Sequence, residues 1–417
     1  MGEQAYVLSD LHIGAGHGDP LEDFTSDDQL ADFLDEIAGP ETTLVINGDF
    51  VDFARIEPLS VRGLPSDLLW DDAASVAKLE TALNGHTTTF GAISRFLDRG
   101  GRLRTTVGNH DLDFAWPRVQ ERFRQAVGGV ADQVTFTTGA TNYAGIHIEH
   151  GHQFTPENCP EDPDDFFHEW NNQRYLERVW GTDFLLSFFN DLHHEHPYAD
   201  KLKPTALVAY HAIKNGWVPA GALLKLVLFL KRRGIALRGL ASAVLDDANI
   251  SPMSLVGAFE EESWRLLASQ VVRSNPKEIA RLIAALDRDD RAVLRQPKTV
   301  ALETDVDFES ERAETLGVFR DSREVRGARD RLSRPGVTSV VFGHTHEVID
   351  GNLDGTHFNP GCWIPHLNLR DEDVRAKVQR DGVTRELLSD ASMYRIRSCA
   401  VVIRPDRQRS RVELIEI

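Results

Sequence analysis

TTLVINGDFVDF, Thr42 to Phe53, opens as an apolar, β-branched run and closes on two carboxylates. Leu44, Val45 and Ile46 have the pattern of a buried strand. The run stops at Gly48-Asp49, with Asp52 just beyond. A strand ending in Gly-Asp delivers a carboxylate to the carboxyl edge of its sheet, where open α/β sheets build their sites. Gly and Asp are also ordinary turn residues, so the stretch decides nothing about function alone. It gains meaning because the same transition, strand into polar cluster, occurs four more times.

Upstream, Ala5 to Leu8 reads as a strand running into Ser9-Asp10-Leu11-His12, and a helix is predicted from Ser26 to Ile37. Downstream, helices over 71–84 and 86–98 lead to the strand 102–107, which runs into Gly108-Asn109-His110-Asp111. A short helix near 117–127 and strands at 133–137 and 142–149 follow, the last ending in Glu149-His150-Gly151-His152. From 155 to 334 the strand pattern fades and helical periodicities replace it, at 164–190, 204–214, 219–232, 236–247, 253–272, 276–287 and 309–332. Val337 to Phe342 restores a strand, followed by Gly343-His344-Thr345-His346. Short strands at 347–350, 355–358, 395–403 and 410–416 close the chain. Strand and helix in alternation predict an α/β architecture with a large α-helical insertion.

The 417 residues exceed what one core usually organises, which agrees with a domain plus an insertion. The formal charge, 46 − 65 = −19, argues against a protein built to grip duplex DNA along its surface. Cys159, Cys362 and Cys399 are too scattered for a disulfide framework or zinc motif. The N-terminus shows no signal-peptide pattern, and the longest apolar run, Trp217 to Leu230, is too short to span a bilayer. The expectation is a cytoplasmic protein.

Five strand ends thus present Asp10 and His12; Asp49 and Asp52; Asn109, His110 and Asp111; His150 and His152; and His344 and His346. Each could serve a turn or a core hydrogen bond if it stood alone. Together, carboxylate, imidazole and amide oxygen suit Mn, Fe or Zn. One carboxylate among several histidines also suits two ions held about 3.5–4 Å apart.

With these motifs the chain resembles the calcineurin-like metallophosphoesterase superfamily, whose pattern is D-x-H, G-D-x-x-D, G-N-H-(D/E), a later histidine and G-H-x-H. The match covers roughly residues 5–154 and 335–417. The resemblance implies a two-layer β-sandwich flanked by helices, formed by 1–154 and 335–417, with 155–334 as a helical insertion or cap. It implies two divalent metal ions, Mn first among the candidates. Asp10, His12 and His346 would hold one, Asn109, His150 and His344 the other, and Asp49 both. His150 and His152 compete for the fourth-motif role, and His150 is preferred because it directly ends its strand. His110 would be the general acid, oriented by Asp52, for an attack on phosphorus by water that the cations activate. Related monoesterases often place an arginine just after the second motif. Here the nearest is Arg55, displaced by Phe53 and Ala54.

The 155–334 block holds 25 Lys and Arg against 29 Asp and Glu, so most of the negative charge belongs to the rest of the chain. Ala220 to Leu240 alternates leucines with Lys225, Lys231, Arg232, Arg233 and Arg238, which suits a peripheral membrane or acyl-chain contact. An ordinary core helix with a charged end is the plainer reading. His193, His194 and His196 read as a polar loop. The function expected is hydrolysis of a phosphodiester or pyrophosphate bond in a small nucleotide-linked or lipid-linked substrate. The alternatives are a nuclease, which a basic groove over Arg312 to Arg334 would favour, and a binding scaffold with a vestigial metal site.

Overall fold

The computed structural model describes residues 3–59, 64–65, 67–155, 158–162, 165–186, 190, 193, 201–203, 323–368, 372–381, 384, 386–387, 390–406 and 409–417. The chain divides into two compact units. The first is Met1–Leu186, Phe319–Pro365 and Ile396–Ile417; the second is Ser187–Val318 and His366–Arg395.

The quoted stretch is β2 (Thr42–Asn47), buried along its whole length. It pairs in parallel with β1 (Gln4–Leu8) and β3 (Arg102–Thr106), and β3 pairs in parallel with β4 (Val134–Thr137). The antiparallel strands β14 (Cys399–Arg404) and β15 (Arg411–Glu416) complete a six-stranded sheet in the order β15-β14-β1-β2-β3-β4. A second sheet runs β11-β12-β10-β6-β5, from β5 (Thr141–Tyr143), β6 (Ile146–Ile148), β10 (Ser339–Val341), β11 (Val348–Gly351) and β12 (His357–Pro360). The expected strand 142–149 is therefore a hairpin, turned by Ala144 and Gly145, both with left-handed backbone.

A β-sandwich between helices is the result. Ala5, Val7 and Val45 meet Ile146, Ile148 and Val341 between the two sheets. On the other face of the first sheet, Leu44, Ile46 and Leu103 pack against α1 (Asp27–Ile37), α2 (Asp72–Gly85), α3 (Thr87–Asp98) and α4 (Pro117–Val127). Central strands covered on both faces read as continuous apolar runs, which is why Leu44–Ile46 lacks alternation. The outer face of the second sheet is covered by α6 (Arg323–Leu332), through Ala328 against Val340 and Phe342.

The helix expected over 164–190 is not formed. Residues 167–176 make a hairpin, β7 (Phe167–Trp170) with β8 (Gln173–Leu176), followed by the short α5 (Trp180–Phe184). Asn171 and Asn172 both take left-handed backbone, the two-residue turn that suits a hairpin. Of the helix expected over 309–332, only α6 falls on described residues; the periodicities from 204 to 287 and the basic stretch 220–240 lie outside them. In the second unit, β9 (Leu202–Lys203) pairs in parallel with β13 (Leu367–Asn368), and α7 spans Glu372–Asp381. Among the described residues, no helix is long and apolar enough to cross a membrane.

An aromatic cluster anchors the helical layer: Phe123 meets the rings of Phe50, Phe90, Phe114 and Phe136 edge-on. Phe123→Ala should cost about 3–5 kcal/mol in denaturant unfolding, because a fully buried ring leaves a cavity there. A loss below about 1 kcal/mol would mean that this layer repacks freely.

Candidate metal centre

Every sequence-predicted site residue lies on a loop leaving the carboxyl end of β1, β2, β3, β6 or β10. Backbone hydrogen bonds lace these loops together. The amides of Asp10 and His12 donate to the carbonyls of Gly48 and Asp49, at 3.2 and 2.9 Å, and Asp52 N donates to Ile13 O at 2.9 Å. Phe53 N reaches His110 O at 3.2 Å, and Gly343 N reaches His150 O at 2.8 Å. Asn47 ties the two sheets: its side-chain amide donates to Glu149 O at 3.0 Å, and its carbonyl accepts from Ser9 Oγ and His150 Nδ1.

Asp10, His12, Asp49, His344 and His346 all have left-handed backbone, with φ between 50° and 66°. For side chains other than glycine this costs about 1–3 kcal/mol each and persists only where the surroundings enforce it. Half of the ten such residues described are these donors. Strain is thus concentrated where the five loops meet.

The donor atoms fall into two groups that share one carboxylate. Asp10, His12, Asp49 and His346 offer atoms all within 4.8 Å of one another, and so do Asp49, His150 and His344. His12 Nε2 lies 2.9 Å from His346 Nε2, and His346 Nε2 lies 3.3 Å from Asp10 Oδ1. Asp49 Oδ2 is 3.7 Å from His12 Nε2 and 3.2 Å from His150 Nε2. Asn109 Oδ1 is buried and has no hydrogen-bond partner among the described residues. A buried amide oxygen with no partner fits a bound cation, and so does the mixed N/O donor set of the two groups.

The ring orientations agree. His150 Nδ1–H donates to Asn47 O at 2.7 Å and His12 Nδ1–H to Asp52 Oδ2 at 3.1 Å, leaving each Nε2 with its lone pair towards the donor group. Burial opposes charge on His150, but Asp49 and Asp10 outweigh it and push the imidazole up to about 10. The carboxylates thus draw positive charge to this point. Burial and the neighbouring His150 push His344 down to about 3, which keeps its ring neutral and able to ligate. His152 is buried and likewise held neutral; its ring lies 5.4 Å from that of His150.

His110 belongs to neither donor group around Asp49. Its Nδ1 lies 3.0 Å from Asp52 Oδ1, its peptide N–H donates to Asp49 Oδ1 at 2.9 Å, and its ring is partly exposed. Despite burial, Asp52 is held well below the usual carboxylate range by His110, His12 and Arg55. It stays ionised between two imidazoles.

The family of calcineurin-like phosphoesterases matches the chain over residues 4–229, a span that carries the first four motifs. The chain belongs to that family. Metal-dependent hydrolysis of phosphoesters is the chemistry of such a phosphoesterase. No curated protein matches the sequence.

Asp111 of the third motif and two residues of α6 that no motif contains brace the phosphoesterase's donors. Asp111 accepts from Phe50 N at 2.8 Å and Gly108 N at 2.6 Å, joining the second and third loops. Glu324 of α6 accepts from Thr345 Oγ1 at 3.1 Å and Asn359 Nδ2 at 3.0 Å. Arg331 of α6 grips Glu149, next to His150, through two bonds at 2.7 and 2.9 Å. Asn47 flanks the second motif and could have been found there; Glu324 and Arg331 leave no local signal.

Gly343 marks the tightest approach, for a Cβ there would stand 1.9 Å from Ser9 Oγ and 2.6 Å from Asp10 Oδ2. Gly343→Ala should therefore lower metal content while circular dichroism stays native, and adding Ser9→Gly should restore part of it. Full metal content in Gly343→Ala would show that the loop moves aside without disturbing Asp10.

Proposed function

We propose that the protein is a dinuclear-metal phosphohydrolase that cleaves a phosphodiester or pyrophosphate bond in a nucleotide-linked or lipid-linked substrate. The observation that carries this reading is the position of Asp49, a single buried carboxylate common to two donor groups with His110 alongside. Asp10, His12 and His346 would hold one ion, Asn109, His150 and His344 the other, and Asp49 would serve both. Mn²⁺ suits this donor set best, with Fe²⁺ or Zn²⁺ as substitutes, since four imidazoles disfavour Ca²⁺. When bound, two such ions lower the pKa of an attacking water and neutralise charge growing on the phosphoryl oxygens.

The chain's own contribution is proton delivery. Burial opposes charge on His110, yet Asp52 and Asp49 prevail and push it up to about 9, so the ring carries a proton at neutral pH. Asp52 holds Nδ1, which leaves Nε2–H free to protonate the departing oxygen. Arg55 supports a diester or pyrophosphate bond rather than a monoester. It is buried and pairs with Asp23 and with Asp52, so it is no clamp for a terminal phosphate. The basic groove that a nuclease would need gains no support from Arg331, whose guanidinium is committed to Glu149 and Asp330. A lipid-linked substrate rests on the sequence of 220–240 alone.

Chelation should abolish hydrolysis, and Mn²⁺ should restore it where Ca²⁺ does not; a screen of monoesters, diesters, nucleoside diphosphates and nucleotide-linked lipids then names the substrate class. Best activity with Ca²⁺ would refute the ligand set. His110→Asn should retain both metals and substrate binding while turnover falls by roughly 10²–10⁴ for a poor alkoxide leaving group. For nitrophenolate, which leaves without a proton, the loss should be small. An equal loss across leaving groups would remove the general-acid role.

A further inference from the structure

A second cluster of ligand-type side chains lies outside the five motifs. Asp27 opens α1, His86 joins α2 to α3, and His17 stands on the loop that follows His12. Asp27 Oδ1 accepts from Thr89 Oγ1 at 2.6 Å, which leaves Oδ2 as the shared point of the cluster. His86 Nδ1 and His17 Nε2 each lie 3.0 Å from that oxygen. The other nitrogen of His86 faces Glu22 Oε2, also at 3.0 Å. A metal-bound histidine usually donates one ring N–H to a carboxylate, which fixes the tautomer and turns the opposite nitrogen to the ion; Glu22 stands in that place behind His86, whose Nδ1 faces Asp27 and the side of His17.

Spacing and charge agree. Three donors, one each from His17, Asp27 and His86, lie within 4.8 Å of one another. Ligand bonds of about 2.0–2.1 Å in a tetrahedral shell separate neighbouring donors by roughly 3.3 Å. The side chains of Asp27 and Glu22 are buried, and among the described residues neither forms an ion pair with a lysine or arginine. A divalent ion held by neutral histidines would balance the two carboxylates. Despite burial, hydrogen bonds to Asp27 and Glu22 push His86 up to about 9, so a proton occupies the cluster when a cation does not. His17 is 59% exposed, which leaves the cluster open to solvent on one side. Close approach at the helix junction permits the arrangement: a Cβ on Gly85 would stand 2.2 Å from Ala15 O.

We propose that His17, Asp27 and His86, backed by Glu22, bind one divalent transition-metal ion separate from the candidate dinuclear centre. The ion would fasten the loop that begins at Asp10 and His12, since Glu22 also accepts from Gly16 N at 2.7 Å and Phe24 N at 2.8 Å. The test loads the full chain with Co²⁺, removes free ion by gel filtration and counts metal. His17→Ala should hold one equivalent fewer than wild type, and His17→Cys should regain it with a thiolate-to-cobalt absorption band. In an Asp49→Ala background the remaining equivalent should disappear with His17→Ala. A full count in Asp49→Ala would instead fault the dinuclear reading, leaving this one intact. Equal metal in wild type and His17→Ala, with no cobalt–thiolate band from His17→Cys, would overturn the proposal and leave a proton-held cluster.

Discussion

The structure depends on one buried carboxylate being placed among cations rather than neutralised. Asp49 leaves β2 with left-handed backbone, accepts the His110 amide on one oxygen and turns the other towards His12 and His150. Charges buried so deeply are tolerated only with partners, and the site supplies them as imidazoles. The same group also fixes the backbone of the third motif, so the proposed ion binding and proton delivery would share an anchor.

Around that anchor the fold works as a frame for strained loops. Two parallel runs of strands bring five loops to common edges, and Asn47 joins the sheets at the point where the donors converge. The reserve of strain in the left-handed donors is balanced by the cores above and below them, which are deeply buried. On the far side, α6 holds two of the loops, Glu324 reaching the fifth and Arg331 the fourth.

How much of this the sequence discloses follows from how local each cause is. Apolar runs such as Leu44–Ile46 and the polar clusters behind them are local, so the strands and the five donor loops could be read directly. The hairpin at 167–176 was missed because its aromatic and polar residues also fit a helical period, although Asn171-Asn172 carried the turn signal. Contacts such as Arg331 with Glu149, or His86 with Asp27, join residues far apart in sequence. No periodicity records them; they exist only once the layers have packed.

The central claim is that two ions share Asp49. Electron paramagnetic resonance of the protein loaded with two equivalents of Mn²⁺ tests it most directly, because ions joined through one carboxylate are magnetically coupled. The account predicts the spectrum of a coupled pair, which disappears as both ions are shed when Asp49 is replaced by alanine. Two uncoupled ions in the fully active wild-type protein would contradict it.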